Sequence, residues 1–477
     1  MSYSVTALSI HRMLGRWQRQ GPAYVALADS FRNLILDGRL PSGSRLPSER
    51  LLAPQLRVSR NTVTAAYRLL RESGHLRSER GAGSFVELPA AYRQADRVVS
   101  WAPASTDELV IDFTVASPAP PTAFLHRATR DVGRELTGHH RDDSGYDLKG
   151  LPELRRVIAD RYAADGLPTT PDEIMVTAGA QHAVALLVRL LTRPRDRILL
   201  DSPTYPSVID TVRSLDRRTL SVGISPAGWD TDLLGSVIRR ERPGLAYFMP
   251  GFHNPTGRRM PAETQRSVAA AAADAGTYVV LDETLADLAL GPGPPAADLF
   301  RERSGHVVLV GSLSKICWAG IRLGWLRAPA PLVSGLVDLR AAADVGNPVL
   351  TQLVALRVFA CYDELVGARR AMLTANRAAL VSTLRDLAPD WTFRPPEGGL
   401  SLWVDLGARV SSPLALAAAE RDVLILPGPR FGLDGTLEDH LRLPYLYDHA
   451  VAQEGVQRLV RAFAEVTEVR KPAPPRR

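Results

Sequence analysis

Lys315 closes the segment Gly311-Ser312-Leu313-Ser314-Lys315, seven residues before Arg322 in Gly320-Ile321-Arg322-Leu323-Gly324. It is one of only three lysines among the chain's 58 Lys and Arg residues. A chain that places arginine at nearly every other basic position, yet keeps an ammonium here, points to chemistry that needs a primary amine. A permanently protonated guanidinium cannot form a Schiff base. Of the other two, Lys149 lies in a polar turn and Lys471 in a tail rich in Pro and Arg. Lys315 is therefore the candidate for holding an aldehyde group.

The residues that could assist such an amine fall at the ends of apolar runs. Ile174-Met175-Val176, Ile198-Leu199-Leu200, Leu245-Ala246-Tyr247-Phe248, Tyr278-Val279-Val280-Leu281 and Val307-Val308-Leu309-Val310 are short, continuous and rich in β-formers. Such runs suit parallel strands buried on both faces, with crossover helices such as 181–192 and 262–274 between them. The sequence thus predicts an α/β domain, a mostly parallel sheet with helices on both faces. Ligands of such sheets lie beyond the carboxyl ends of the strands. After the first strand, Ala178-Gly179-Ala180-Gln181 opens a helix whose free N–H groups could hold a phosphate. Asn254 in His253-Asn254-Pro255-Thr256-Gly257 follows the third, Asp282 ends the fourth, and Ser312, Ser314 and Lys315 follow the fifth. An amine for an imine, a carboxylate for a pyridinium nitrogen, an amide for a phenolic oxygen, and hydroxyls with Arg322 for a phosphate are the inventory that pyridoxal 5′-phosphate (PLP) requires.

The N-terminal fifth has a different character. Residues 1–90 hold 13 arginines against six acidic residues, which accounts for the whole net charge of +7; the rest of the chain is balanced. That asymmetry fits a nucleic-acid-binding module joined to a neutral domain. Residues 22–37 read as an amphipathic helix with Val25, Leu27, Ala28, Phe31, Leu34 and Ile35 near one face. Ser48 can cap a second helix through Leu56, and Ser59 a third running to Glu72. The third would bury Val63, Ala66, Tyr67 and Leu70. Arg60, Asn61, Thr62, Thr64 and Arg68 then face the other side, able to reach phosphates and base edges in a major groove. His75–Val86 reads as a two-stranded wing with a glycine-containing tip. The domains are accordingly drawn as 20–88, a linker 89–108, and 109–470.

These motifs carry a family resemblance. Leu46-Pro47-Ser48-Glu49-Arg50-Leu51-Leu52-Ala53, Val58-Ser59-Arg60-Asn61-Thr62-Val63 and Leu69-Leu70-Arg71-Glu72-Ser73-Gly74 resemble the winged helix-turn-helix of GntR-type regulators. The resemblance implies DNA contacts by Arg50, Ser59, Arg60, Asn61, Thr62 and Gly81. Gly145-Tyr146-Asp147-Leu148-Lys149-Gly150, Leu154-Arg155, Ser202-Pro203-Thr204-Tyr205-Pro206 and the strand-end residues above resemble fold-type I aminotransferases. That resemblance implies that Lys315 carries PLP as a Schiff base, Asp282 pairs with the ring nitrogen and Asn254 bonds the phenolic oxygen. It further implies that Gly179, Ala180, Ser312, Ser314 and Arg322 bind the phosphate and that Tyr205 lies against the ring. Tyr146 would reach the phosphate of a neighbouring subunit, and Arg442 in Leu441-Arg442-Leu443 would grip an effector or substrate carboxylate. One position departs: related proteins usually place a tyrosine where this chain has Thr284.

Joined in this order, the two halves resemble the MocR subfamily of GntR-type transcription regulators. This implies a head-to-tail homodimer that binds a double-stranded operator and senses PLP or a small amino compound, with control of vitamin B6 or amino-acid metabolism a common role among relatives. Two rivals stand beside it: a working aminotransferase with an accessory winged helix, and a regulator whose large domain is only a scaffold. The absence of a signal-peptide pattern or a spanning apolar segment leads us to expect a cytoplasmic protein without a membrane partner. Cys317 and Cys361 form no disulfide framework, and His139-His140 lacks a metal-ligand pattern.

Overall fold

The computed structural model describes residues 6–15, 17–18, 21–36, 40, 45–79, 83–87, 110–139, 144–225, 227–291, 305–432 and 437–468. The chain forms two compact units: Met1–Val115 with Ala379–Arg394 and Trp403–Arg477, and Ala116–Ala378 with Pro395–Leu402.

The first unit contains a helical module and a small sheet. The helices of that module are Ala7–Leu14 (α1), Ala23–Leu36 (α2), Glu49–Leu56 (α3) and Arg60–Glu72 (α4), followed by the hairpin Leu76–Glu79 (β1) and Gly83–Val86 (β2). Leu27, Phe31 and Leu34 of α2, Leu52 and Leu56 of α3, and Val63, Tyr67 and Leu70 of α4 form one core, which Leu76 and Val86 of the hairpin complete. Each such side chain contributes about 1.5–3 kcal/mol on leaving water. Tyr67 joins the module by an edge contact with Phe31, centroids 5.7 Å apart, and by donating its hydroxyl to Pro47 O at 2.9 Å. Val25, expected on the buried face, lies at the surface. Helix α1 was not foreseen; its Ile10 and Leu14, with Trp17 just beyond, enter the same core. Arg45 bridges to Phe85 and Leu46 N–H donates to Ser84 O, so the hairpin gains a short third edge. Also in this unit, Ile111–Asp112 (β3) pairs in parallel with Val423–Leu424 (β13).

The second unit is built on a seven-stranded sheet. Its strands are Ile174–Thr177 (β4), Arg197–Ser202 (β5), Arg218–Gly223 (β6), Leu245–Phe248 (β7), Tyr278–Asp282 (β8), Val307–Ser312 (β9) and Gly324–Arg327 (β10), in the order β4-β10-β9-β8-β7-β5-β6. All pairings are parallel except those of β10, which runs against both β4 and β9. The continuous apolar runs of β4, β7 and β9 are buried at every position. That is what helices on both faces require. The crossover helices Ala180–Leu191 and Ala262–Ala275 end within a residue of the expected bounds. β6 and β10 were not read from the sequence.

A four-stranded sheet joins Thr392–Phe393 (β11), Ser401–Asp405 (β12), Leu426–Pro427 (β14) and His440–Pro444 (β15) in the order β11-β12-β15-β14. Among the described residues no helix is long and apolar enough to cross a membrane.

Candidate cofactor site and nucleic-acid interface

The ends of β4, β7, β8 and β9 meet at one edge of the large sheet. Gly179 adopts φ 87°, a conformation that favours glycine, and the helix Ala180–Leu191 begins at once, presenting its first-turn N–H groups outward. Arg322 arrives at the same place: its Nη2 donates to Ala178 O at 2.5 Å. A second glycine makes this possible. A Cβ on Gly324 would lie 2.6 Å from Gly179 C and 2.8 Å from Ala180 N, so only glycine lets β10 pass the start of the helix. Ser312 and Ser314 are buried with their hydroxyl oxygens 2.8 Å apart, and Ser314 N–H donates to Ser312 Oγ at 3.1 Å. Together these groups form a cradle with a helix N-terminus, a guanidinium and two hydroxyls, the donor set for a phosphate.

Lys315 follows directly, its Nζ donating to Ala116 O at 2.7 Å. Asp282 is buried at the end of β8. Its Oδ1 accepts from Thr284 N–H at 2.9 Å and its Oδ2 from the hydroxyl of Tyr247 at 2.7 Å. Burial raises the Asp282 pKa, while hydrogen bonds from Thr284 and Tyr247 and the Lys315 charge act in the opposite direction. A protonated ring nitrogen would add a further cation to favour the ionised form of this desolvated carboxylate. Asn254 Oδ1 is buried with no hydrogen-bond partner, an acceptor position that a ligand hydroxyl or bound proton would fill.

The residues present therefore fit PLP on three observations of this structure: the phosphate cradle, the buried carboxylate and the orphaned amide oxygen. Tyr205 occupies the position before the helix Pro206–Ser214, with no side-chain cap to it. Tyr146 is 75% exposed, available to a neighbouring molecule. Arg442 lies in β15 of the first unit, buried, with its guanidinium bonded to Thr114 O and over the Phe431 ring at 5.2 Å. Tyr247 escaped sequence reasoning. It sits inside an apolar strand run, where a tyrosine reads as core, and only its pairing with Asp282 reveals its bearing on the site.

In the helical module, Ser59 caps α4 by accepting from Thr62 N–H at 3.0 Å, and its Oγ lies 2.8 Å from Thr62 Oγ1. Ser48, by contrast, makes no side-chain cap to α3. The first turn of α3 is closed by backbone bonds from Leu51 and Leu52 N–H to Ser48 O. Arg50, Arg60, Asn61, Thr64 and Arg68 are exposed. Arg68 lies 3.7 Å from Glu72, an exposed pair that solvent weakens. Thr64 Oγ1 bonds to Arg60 O at 3.0 Å. Gly81 and the linker 89–108 lie outside the described residues.

Comparison with known proteins places both halves. Residues 120–459 match the family described as aminotransferase class I and II, and residues 23–86 match the gntR family of bacterial regulatory proteins. The regulator TauR of Rhodobacter capsulatus is 30% identical over 90% of this chain and 94% of its own. This chain belongs to the MocR-type regulators. An uncharacterized HTH-type transcriptional regulator, YisV of Bacillus subtilis, is 26% identical over 91% of this chain and 95% of its own. The 2-aminoadipate transaminase of Thermus thermophilus is 30% identical over 74% of this chain and 90% of its own. The crystal structure of LysN, an α-aminoadipate aminotransferase from that organism complexed with N-(5′-phosphopyridoxyl)-L-leucine, superposes with a TM-score of 0.69 at 27% identity. It covers 79% of this chain and 98% of LysN. The regulator is thus a PLP-dependent, DNA-binding protein with a fold-type I aminotransferase-like domain.

Proposed function

We propose that this regulator reads the level of PLP, or of an amino compound that reacts with it, and alters its grip on a double-stranded operator accordingly. PLP supplies an electrophilic aldehyde and, when its ring nitrogen is protonated, an electron sink. The protein's residues do the rest. Lys315 binds the aldehyde carbon through its amine, Asp282 holds the ring-nitrogen proton, and Asn254 orients the phenolic oxygen. The Gly179–Ala180 helix start, Ser312, Ser314 and Arg322 anchor the phosphate, and Tyr205 lies along the ring. Arg442 is assigned to the carboxylate of an amino-acid effector. The observation that carries the reading is the complete phosphate and ring-nitrogen set in a chain that also presents Arg50, Arg60, Asn61, Thr64 and Arg68 on a winged helix.

An effector changes transcription only if it prefers one arrangement of the DNA-binding modules over another. We assign the functional species as a cytoplasmic, head-to-tail homodimer, with Tyr146 reaching the partner's phosphate and Ser59, Thr62 and Gly81 joining the DNA contacts. The test is reconstitution with PLP, borohydride reduction and peptide mapping, followed by effector titration of operator binding. Labelling at Lys315, and an amine response lost in Lys315→Ala, are expected. Unchanged effector response in Lys315→Ala contradicts the proposal. A second reading, transamination, is favoured by the identity to 2-aminoadipate transaminase; steady turnover of an amino donor with an oxo acid would establish it. Thr284 at the usual tyrosine position weighs against it.

A further inference from the structure

A second pair of ionisable groups, one of them next to Asn254 in the chain, has no part in the chemistry above. Asp201, the penultimate residue of β5, is fully buried; His253, which precedes Asn254, is 1% exposed. Asp201 Oδ1 accepts from Trp229 Nε1 at 3.0 Å, and the Trp229 ring meets that of His253 edge-on, centroids 5.7 Å apart. His253 Nδ1 lies 3.0 Å from Thr256 Oγ1. The remaining atoms, Asp201 Oδ2 and His253 Nε2, face each other at 3.6 Å, and neither has another hydrogen-bond partner. Two polar atoms stripped of water and left unmatched would each forfeit hydrogen bonding, and at this separation a shift of a few tenths of an ångström joins them.

We propose that Asp201 and His253 are positioning residues that share one proton between Oδ2 and Nε2, and so hold the His253–Gly257 turn, with Asn254, in place for the cofactor. The proposal rests on the cofactor-site reading. Burial raises the Asp201 pKa well above its usual value and lowers that of His253 to about 3. Burial disfavours the charged form of both groups, and in the neutral arrangement it favours, the carboxyl donates to Nε2 while Nδ1–H donates to Thr256. Besides His253, the carboxyl interacts with the Tyr247 hydroxyl, which burial holds well above its usual pKa and so neutral. The backbone carries the restraint onward: His253 N–H donates to Arg258 O at 2.7 Å and Gly257 N–H to His253 O at 2.6 Å. Anchoring the imidazole to β5 thus fixes the turn from which Asn254 projects.

The experiment measures PLP affinity and the pH profile of the bound cofactor's absorption in the full-length protein for Asp201→Asn and Asp201→Leu. Asparagine keeps an acceptor for Trp229 and supplies an N–H for Nε2, so its affinity should stay within about threefold of the parent with an unchanged pH profile. Leucine breaks both bonds and should weaken PLP at least about tenfold and move the profile. If Asp201→Leu does not fold, the same comparison is made with His253→Gln, whose carbonyl can accept the proton, and His253→Ala. Asparagine as damaging as leucine, or leucine matching the parent in both readouts, overturns the proposal; for the histidine pair, equal affinities do so. Failure of the parent protein itself to take up PLP at Lys315 overturns the cofactor reading, and this proposal with it.

Discussion

Tyr247→Phe removes one oxygen from the interior and leaves the ring's packing intact. The lost bond is the 2.7 Å donation to Asp282 Oδ2, where both groups are buried. A hydrogen bond to a charged group contributes about 1.5–3 kcal/mol, which sets the upper range of the effect at roughly 10- to 150-fold in PLP dissociation constant. The sign with pH follows from Asp282. Burial already raises its pKa, and losing Tyr247 raises it further, because the donor favours the ionised form. A protonated ring nitrogen needs the ionised carboxylate, and a raised pKa makes that form scarcer in the apo-protein as pH falls, so the defect should be smallest well above that pKa and grow as pH falls through it. The assay is equilibrium titration of apo-protein with PLP, followed by absorption, from pH 5.5 to 8.5. An unchanged dissociation constant across this range, or a defect that shrinks on acidification, would refute the reasoning.

Other perturbations probe the remaining parts. Gly324→Ala places a Cβ within 2.6 Å of Gly179 C; competitive binding should show PLP affinity falling much more than that of pyridoxal, which lacks the phosphate. Arg60→Ala, on the exposed start of α4, should weaken operator and non-specific DNA alike and lower the slope of log K against log salt by about 1, as measured by fluorescence anisotropy. Ser59→Ala removes the cap to Thr62 N–H and should cost about 1 kcal/mol of helix stability, visible as faster amide exchange in the first turn of α4, whereas Ser48→Ala, with no side-chain cap to lose, should leave exchange in α3 unchanged.

Much of the large domain was legible because its strands are buried on both faces and so appear as unbroken apolar runs. Asp282 and Lys315 stand out for the same reason: each interrupts or follows such a run at a carboxyl end. β10 did not, since Gly324-Trp325-Leu326-Arg327 ends in an arginine. That charge is tolerated inside because Arg327 reaches Glu173 at 3.1 Å, a contact between residues far apart in sequence. Buried Arg340 likewise satisfies Leu148 O and Val176 O from distant segments. The pairing of Tyr247 with Asp282 and that of Asp201 with His253 are products of neighbouring strands and loops, invisible to local pattern. In the N-terminal module the spacing of α2 to α4 was clear from periodicity, whereas α1 is eight residues long and acquires its place only by packing Ile10 and Leu14 into the shared core.

The most direct test of the central claim is the binding of the purified protein to DNA upstream of its own gene, titrated with PLP at fixed salt, for the parent chain and Lys315→Ala. A PLP-dependent regulator acting through Lys315 predicts specific binding by both proteins, with affinity or footprint shifting on PLP addition only in the parent. Absence of specific binding, or an equal PLP response in Lys315→Ala, would contradict it.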